Sequence, residues 1–148
     1  MDPISSLQEL YVSPSGQNFE SSHRLRGIAH RLIPGGCHTY AKGDDQYPVL
    51  APGFIARGLG SHVWDADGNE YIEYGMGNRA VGLGHAYPPV VQAAVQALAT
   101  GCNFTRPNPT EVECAEQFLR LIDGAEMVKF CKDGSDATSG AVRLARAY

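Results

Sequence analysis

A short polar turn, Asp133-Gly134-Ser135, lies between a run of β-forming residues and a segment with helical spacing. A turn that leads into a helix presents backbone N–H groups without partners inside the helix, and the helix dipole adds positive potential there. Such a turn can bind a phosphate or another anion. Gly134 lets a ligand approach the backbone closely, and the Ser135 hydroxyl can donate a further hydrogen bond.

A second interpretation of the same turn needs no ligand. Asp133 and Ser135 are both residue types that cap helices, so either side chain could satisfy the free N–H groups. Asp133 and Asp136 also repel a bound anion unless another group neutralises them. The turn lacks the sequence patterns of a Walker loop and of a dinucleotide-binding turn. The residues by themselves leave both a phosphate site and a simple helix cap open.

The segments that must position this turn combine a small antiparallel sheet with helices, which indicates an α/β protein. Short β-forming runs between residues 54 and 74, separated by a turn at 65–69, predict an antiparallel meander. Residues 126–131 predict one further strand, which leads into the turn. Apolar spacing and capping residues predict four helices. The first follows Ser21-Ser22, the second begins at Pro88, the third begins at a Thr110 cap with Glu113 in the capping box, and the fourth begins near Ser135. At most one further short helix is predicted, at 4–10.

The amino-acid composition limits the classes of protein to which this sequence can belong. The chain has 148 residues, of which 43% are apolar and 19% charged, as in ordinary soluble domains. Its net charge of -4 argues against a nucleic acid held through phosphate contacts. The sequence has no apolar run long enough for a membrane span and no signal-peptide pattern at its start, so we expect a cytoplasmic protein with reduced cysteines.

Four stretches resemble, in the same order, the class III pyridoxal-phosphate-dependent aminotransferases, especially the glutamate-1-semialdehyde aminomutase group. They are RLIPGG at 31–36, VWDADGNEYIEY at 63–74, LGHAYPPVVQAA at 83–94 and EMVKFCKDGSDATSGAVRLARAY at 126–148. The resemblance implies the fold of type I pyridoxal-phosphate enzymes. The resemblance covers 23–148, and it implies an N-terminal segment with the meander and a helix over 23–101 and the start of the cofactor-binding large domain over 102–148. The polar composition of residues 1–22 predicts a flexible arm.

The resemblance also implies ligands and site residues. The cofactor would be pyridoxal 5'-phosphate, with its phosphate bound by Gly134 and Ser135 and, less directly, by the backbone of Asp133. The loop that contains Asn78 and Arg79 would border the substrate pocket. The aminomutase carries a Trp where Asn78 stands, which leaves an amino-sugar or other keto substrate open beside the semialdehyde. A purely structural role for Arg79 stays open too. The family implies an amino donor, a keto or aldehyde acceptor and a homodimer.

The family's chemistry needs a lysine that binds the cofactor covalently and an acid that pairs with its ring nitrogen. In the family both lie downstream of the phosphate-binding turn. The lysines of this sequence are Lys42, Lys129 and Lys132, and none has a matching context. We therefore expect an N-terminal fragment of such an enzyme that is inactive alone. A non-catalytic module that binds a phosphorylated ligand and an inert truncated product are the alternatives.

Overall fold

The computed structural model describes residues 16–48 and 50–148, in two compact units that meet in sequence at Gln96 and Ala97. The helix predicted over 4–10 lies outside the described residues. The elements are α1 (Glu20–Leu32), β1 (Ile55–Leu59), β2 (His62–Asp65), β3 (Glu70–Ile72), α2 (Pro88–Ala99), α3 (Pro109–Leu121) and α4 (Gly134–Ala147). Single helical turns occur at Pro34–Gly36, Tyr40–Lys42, Asp44–Gln46 and Met76–Arg79. Within the described ranges, every helix is too short or too polar to cross a bilayer.

The predicted meander is confirmed. The three strands form an antiparallel sheet in the order β1-β2-β3. Val63, at the centre of the sheet, pairs with Gly58 on one side and Tyr71 on the other, and it is only 2% exposed. A bulge between Ile55 and Arg57 shifts the register of β1. The period-two pattern of the sequence therefore places one apolar side chain at the centre of a small sheet.

The turn between β2 and β3 is organised around a buried carboxylate. Asp65 is 2% exposed, and its Oδ1 accepts the backbone N–H groups of Asp67 and Asn69 at 3.0 and 2.8 Å. Its Oδ2 accepts the Asn69 amide at 2.8 Å and the Tyr71 hydroxyl at 3.0 Å. Burial, followed by this contact with Asp65, raises the pKa of Tyr71 to about 12. The buried charge is thus fully used as an acceptor, as burial requires.

The same turn caps α1. Asp67 accepts the backbone N–H groups of Ser21 and Ser22 at 2.6 and 2.9 Å, which are two of the N–H groups that a helix start leaves free. Burial raises the pKa of Asp67, but hydrogen bonds from Ser22 and Ser21 outweigh it and lower that pKa. The sequence pattern around Asp65 and Asp67 therefore forms a hairpin turn that also caps the start of a helix.

The cap predicted for α3 is wrong by two residues. Asn108, not Thr110, is the cap: its side chain accepts the Thr110 N–H at 2.9 Å. Glu111, rather than Glu113, completes the capping box by accepting the Asn108 N–H at 3.0 Å. Pro109 explains the shift, because proline favours the first helical position, where it needs no N–H partner.

The strand predicted over 126–131 is also wrong. These residues form no ladder, because a strand needs a hydrogen-bonded neighbour and the described residues around it supply none. Apolar residues of both neighbouring helices are exposed, among them Val112 of α3 and Leu144 of α4. Within the described ranges, Ala29 and Val63 are the buried members of the apolar core. The local sequence pattern therefore predicts these helices, but the described residues do not cover their apolar faces.

Candidate functional site

The predicted phosphate-binding turn lies at the N-terminus of α4. Asp133 is the cap residue, and its carboxylate accepts the backbone N–H of Asp136 at 2.9 Å. The helical hydrogen bonds begin when the Ala137 N–H donates to the Asp133 carbonyl at 3.1 Å. The N–H groups of Gly134 and Ser135 therefore have no partner within the helix.

The cap and the anion site are compatible with each other. Asp133 occupies only the Asp136 N–H, so two backbone donors and the Ser135 hydroxyl remain available to a ligand. A Cβ built on Gly134 would meet no atom within 4 Å, so the space beside its backbone is open. Thr138 donates its hydroxyl to the carbonyls of Gly134 and Ser135, both at 3.0 Å, and so reinforces the first turn. The capping role of Asp133 is confirmed, while phosphate binding stays a prediction.

Asn78 and Arg79 lie in the turn Met76–Arg79, which is left-handed. Its four residues have φ of 44°, 57°, 58° and 71°, and only Gly77 is a glycine. A left-handed conformation costs a residue with a Cβ about 1 kcal/mol or more, although asparagine tolerates it better than most. Surrounding contacts must therefore hold this turn.

Glu73 provides those contacts. Its Oε1 accepts the backbone N–H of Gly77 at 3.1 Å, and its Oε2 contacts the Nε2 atom of His85. His85 is fixed in turn, because its backbone exchanges hydrogen bonds of 2.8 and 2.9 Å with Gly60. Its ring lies against Gly58, where an added Cβ would come within 2.6 Å of the ring. We call Glu73, Gly77 and His85 the Glu73 clasp.

The clasp was not visible in the sequence. Glu73 was not singled out, because nothing local shows that it contacts a residue twelve positions later. The hydrogen bond from His85, followed by that from the Gly77 N–H, lowers the pKa of Glu73 below its usual value, against an opposing effect of burial. The carboxylate therefore remains an ionised acceptor at neutral pH.

A cavity of about 780 Å³ lies in the unit that ends at Gln96. Asn78 lines it together with the three residues of the clasp, whereas Arg79 is exposed and is not among the lining residues. Other polar residues that line it are Ser22, His23, Arg26, His30, Lys42, Asp44, Tyr47, Tyr71 and Tyr74. A hydrogen bond with His30, followed by the charge of Arg26, lowers the pKa of Asp44, so both side chains are paired with a carboxylate.

A family model for class-III aminotransferases matches residues 40–148. The chain belongs to the class-III aminotransferases. Glutamate-1-semialdehyde 2,1-aminomutase from Anaeromyxobacter sp. (strain Fw109-5) is 36% identical over 136 residues, which cover 87% of this chain and 30% of that protein. This class-III chain thus spans about 30% of the length of the curated relatives that it matches.

Two solved structures carry the same fold. An omega-transaminase from Sphaerobacter thermophilus is 30% identical with a TM-score of 0.79, over 90% of this chain and 30% of that one. A transaminase with PLP bound is 34% identical with a TM-score of 0.81, over the same shares of the two chains. The family resemblance and the α/β fold class are therefore confirmed. The three proposed segment boundaries and the site residues stay predictions.

The lowered pKa of Glu73 gives a pH prediction for the folded chain. A carboxyl with a lowered folded pKa stabilises the fold fully above its ordinary pKa of 4.5, and this contribution disappears as the pH falls through the folded value. The difference in unfolding free energy between the parent chain and Glu73→Gln should therefore be constant above about pH 5 and shrink below pH 4.5. Urea titrations at a series of pH values measure it. Parallel pH profiles down to pH 2 would contradict the assignment.

Proposed function

We propose that this chain provides the cofactor-phosphate site and part of the substrate site of a pyridoxal-phosphate-dependent aminotransferase, or of an aminomutase of the glutamate-1-semialdehyde type. The observation that carries the proposal is the pair of N–H groups, of Gly134 and Ser135, at the start of α4 in a class-III chain, which have no partner within residues 16–48 and 50–148. A relative solved with PLP bound supports the choice of cofactor. The cofactor supplies the electron sink that amino-group transfer needs.

The residues of the turn fit the phosphate group. Two backbone N–H groups and the Ser135 hydroxyl are three hydrogen-bond donors at this turn, and the α4 dipole adds positive potential. The absence of a side chain on Gly134 leaves the approach open. Asp133 contributes through the backbone, since a carboxylate cannot donate to phosphate and its oxygen is already bound by the Asp136 N–H.

The second part of the proposal concerns substrates and assembly. Asn78 and Arg79 would contact the amino donor or the keto or aldehyde acceptor, because arginine binds carboxylates in a bidentate way. The family also supports a cytoplasmic homodimer at full length, without a nucleic-acid partner. Sedimentation of the full-length protein and fractionation of cells test the assembly state and the location, and a monomer or a membrane-bound protein would refute them.

Ser135 should contribute directly to cofactor affinity. In a protein of the relatives' full length that contains this chain, Ser135→Ala removes one hydrogen bond to a charged phosphate. Such a bond contributes about 1 kcal/mol or more, so the dissociation constant of pyridoxal phosphate should rise about fivefold or more. Ser139→Ala, one turn further along α4, is the matched control and should leave the affinity unchanged. Equal affinity in both variants would remove Ser135 from the phosphate site.

The lysines of this chain should not replace the family's cofactor lysine. Lys42, Lys129 and Lys132 are all exposed, and none has the sequence context of the family's cofactor lysine. Borohydride reduction of the chain with pyridoxal phosphate should therefore label them incompletely and without preference, and no amino donor should be turned over. One lysine labelled to one equivalent, together with turnover, would contradict this proposal. Saturable phosphate binding without turnover even at full length would favour a non-catalytic module.

A further inference from the structure

We propose that Glu73 is the positioning residue of a carboxylate-binding site formed by Asn78 and Arg79. It acts through the backbone of the turn Met76–Arg79, which it holds in the left-handed conformation. The chemical role given to Asn78 and Arg79 rests on the proposed function. The mechanical role given to Glu73 rests on its own contacts.

The turn needs an outside support. Internally, the Arg79 N–H donates to the Gly75 carbonyl and the Val81 N–H to the Met76 carbonyl, both at 2.9 Å. These bonds close the turn but do not remove the unfavourable φ of Met76, at 44°, and of Arg79, at 71°. The Glu73 carboxylate binds the N–H of Gly77 at the middle of the turn, so it stabilises the one conformation that directs this N–H toward it.

The support is rigid because the carboxylate itself cannot move freely. His85 holds the second oxygen of Glu73, and both side chains are largely covered, at 25% and 29% exposure. The backbone of His85 is paired with Gly60, and its ring fits where Gly58 lacks a Cβ. A Cβ on Gly84 would likewise come within 3.0 Å of Gly60. The position of the turn is therefore transmitted from the β1-β2 hairpin through His85 and Glu73.

The turn places one cation where a ligand can reach it. Arg79 is exposed and has no carboxylate partner among residues 16–48 and 50–148. Asn78, its neighbour, lines the cavity and offers an amide donor. One guanidinium and one amide match a singly charged carboxylate. The nearby negative charge of Glu73 disfavours a phosphate dianion at the same place.

The test measures amide hydrogen exchange and ligand-induced amide shifts in the full chain by NMR. Glutarate is the carboxylate probe, and inorganic phosphate is the comparison anion. Glu73→Gln keeps the size of the side chain but weakens its acceptor. Glu70→Gln is the matched control, because Glu70 begins β3, which ends directly before Glu73, and contacts a different histidine, His62, at 2.8 Å. Gly58→Ala displaces the His85 ring without altering Glu73 and serves as the second variant if Glu73→Gln fails to fold.

We expect glutarate to shift the amides of Asn78 and Arg79 in the parent chain and in Glu70→Gln. Glu73→Gln and Gly58→Ala should exchange the Gly77 and Arg79 amides at least tenfold faster and bind glutarate at least fivefold more weakly. Unchanged exchange in both clasp variants overturns the proposal, and so does faster exchange with unchanged glutarate affinity. Absence of glutarate shifts in the parent chain, or stronger phosphate binding at Asn78 and Arg79, overturns it as well.

The outcome is separable from that of the proposed function. The phosphate site at Gly134 and Ser135 belongs to α4 and shares no residue with the clasp. If Ser135→Ala leaves cofactor affinity intact while the clasp variants behave as expected, the cofactor site fails and the carboxylate site stands. If the clasp variants match the parent chain while Ser135→Ala weakens the cofactor, the reverse holds.

Discussion

The buried carboxylate of Asp65 accepts four hydrogen bonds, and the N-terminal unit depends on it more than on any apolar cluster. Its oxygens fix the turn between β2 and β3, and that turn places Asp67 against the start of α1. Apolar burial in the described residues is small, so it cannot by itself fix how the helix meets the sheet. Directional hydrogen bonds to buried charge do so instead, since a buried acceptor left without donors is costly.

The same kind of contact, a carboxylate that accepts a backbone N–H, recurs at two separate candidate sites. Glu73 accepts a backbone N–H in the turn that carries Asn78 and Arg79, and Asp133 accepts one at the start of α4. The two cases differ in what they leave free. Glu73 leaves an exposed guanidinium on a fixed turn, whereas Asp133 leaves the N–H groups of Gly134 and Ser135. Carboxylates at these turns thus fix the backbone conformation. The hydrogen-bond donors that they do not bind remain available to ligands.

Local features of the structure were predictable from the sequence, and non-local ones were not. The meander, α1, α2 and the start of α4 follow from period, capping residues and turn residues that act within a few positions. The predicted strand over 126–131 was wrong because strand pairing needs a distant neighbour. The predicted α3 cap was wrong because Pro109 shifts the helix start. The contacts from Glu73 to His85, and from His85 to Gly58, span twelve and twenty-seven positions, so no local pattern reveals them.

The proposed phosphate site could be predicted from the sequence because its residue types stand together in one short segment, and the family resemblance implied pyridoxal phosphate as its ligand. We propose that the backbone N–H groups of Gly134 and Ser135 bind the phosphate of pyridoxal phosphate. Amide NMR of the full-length protein, titrated with pyridoxal phosphate and separately with pyridoxal, tests this most directly. We expect large changes in the amide chemical shifts of Gly134 and Ser135, and only with the phosphorylated compound. Equal shifts with pyridoxal, or none at these two amides, would contradict it.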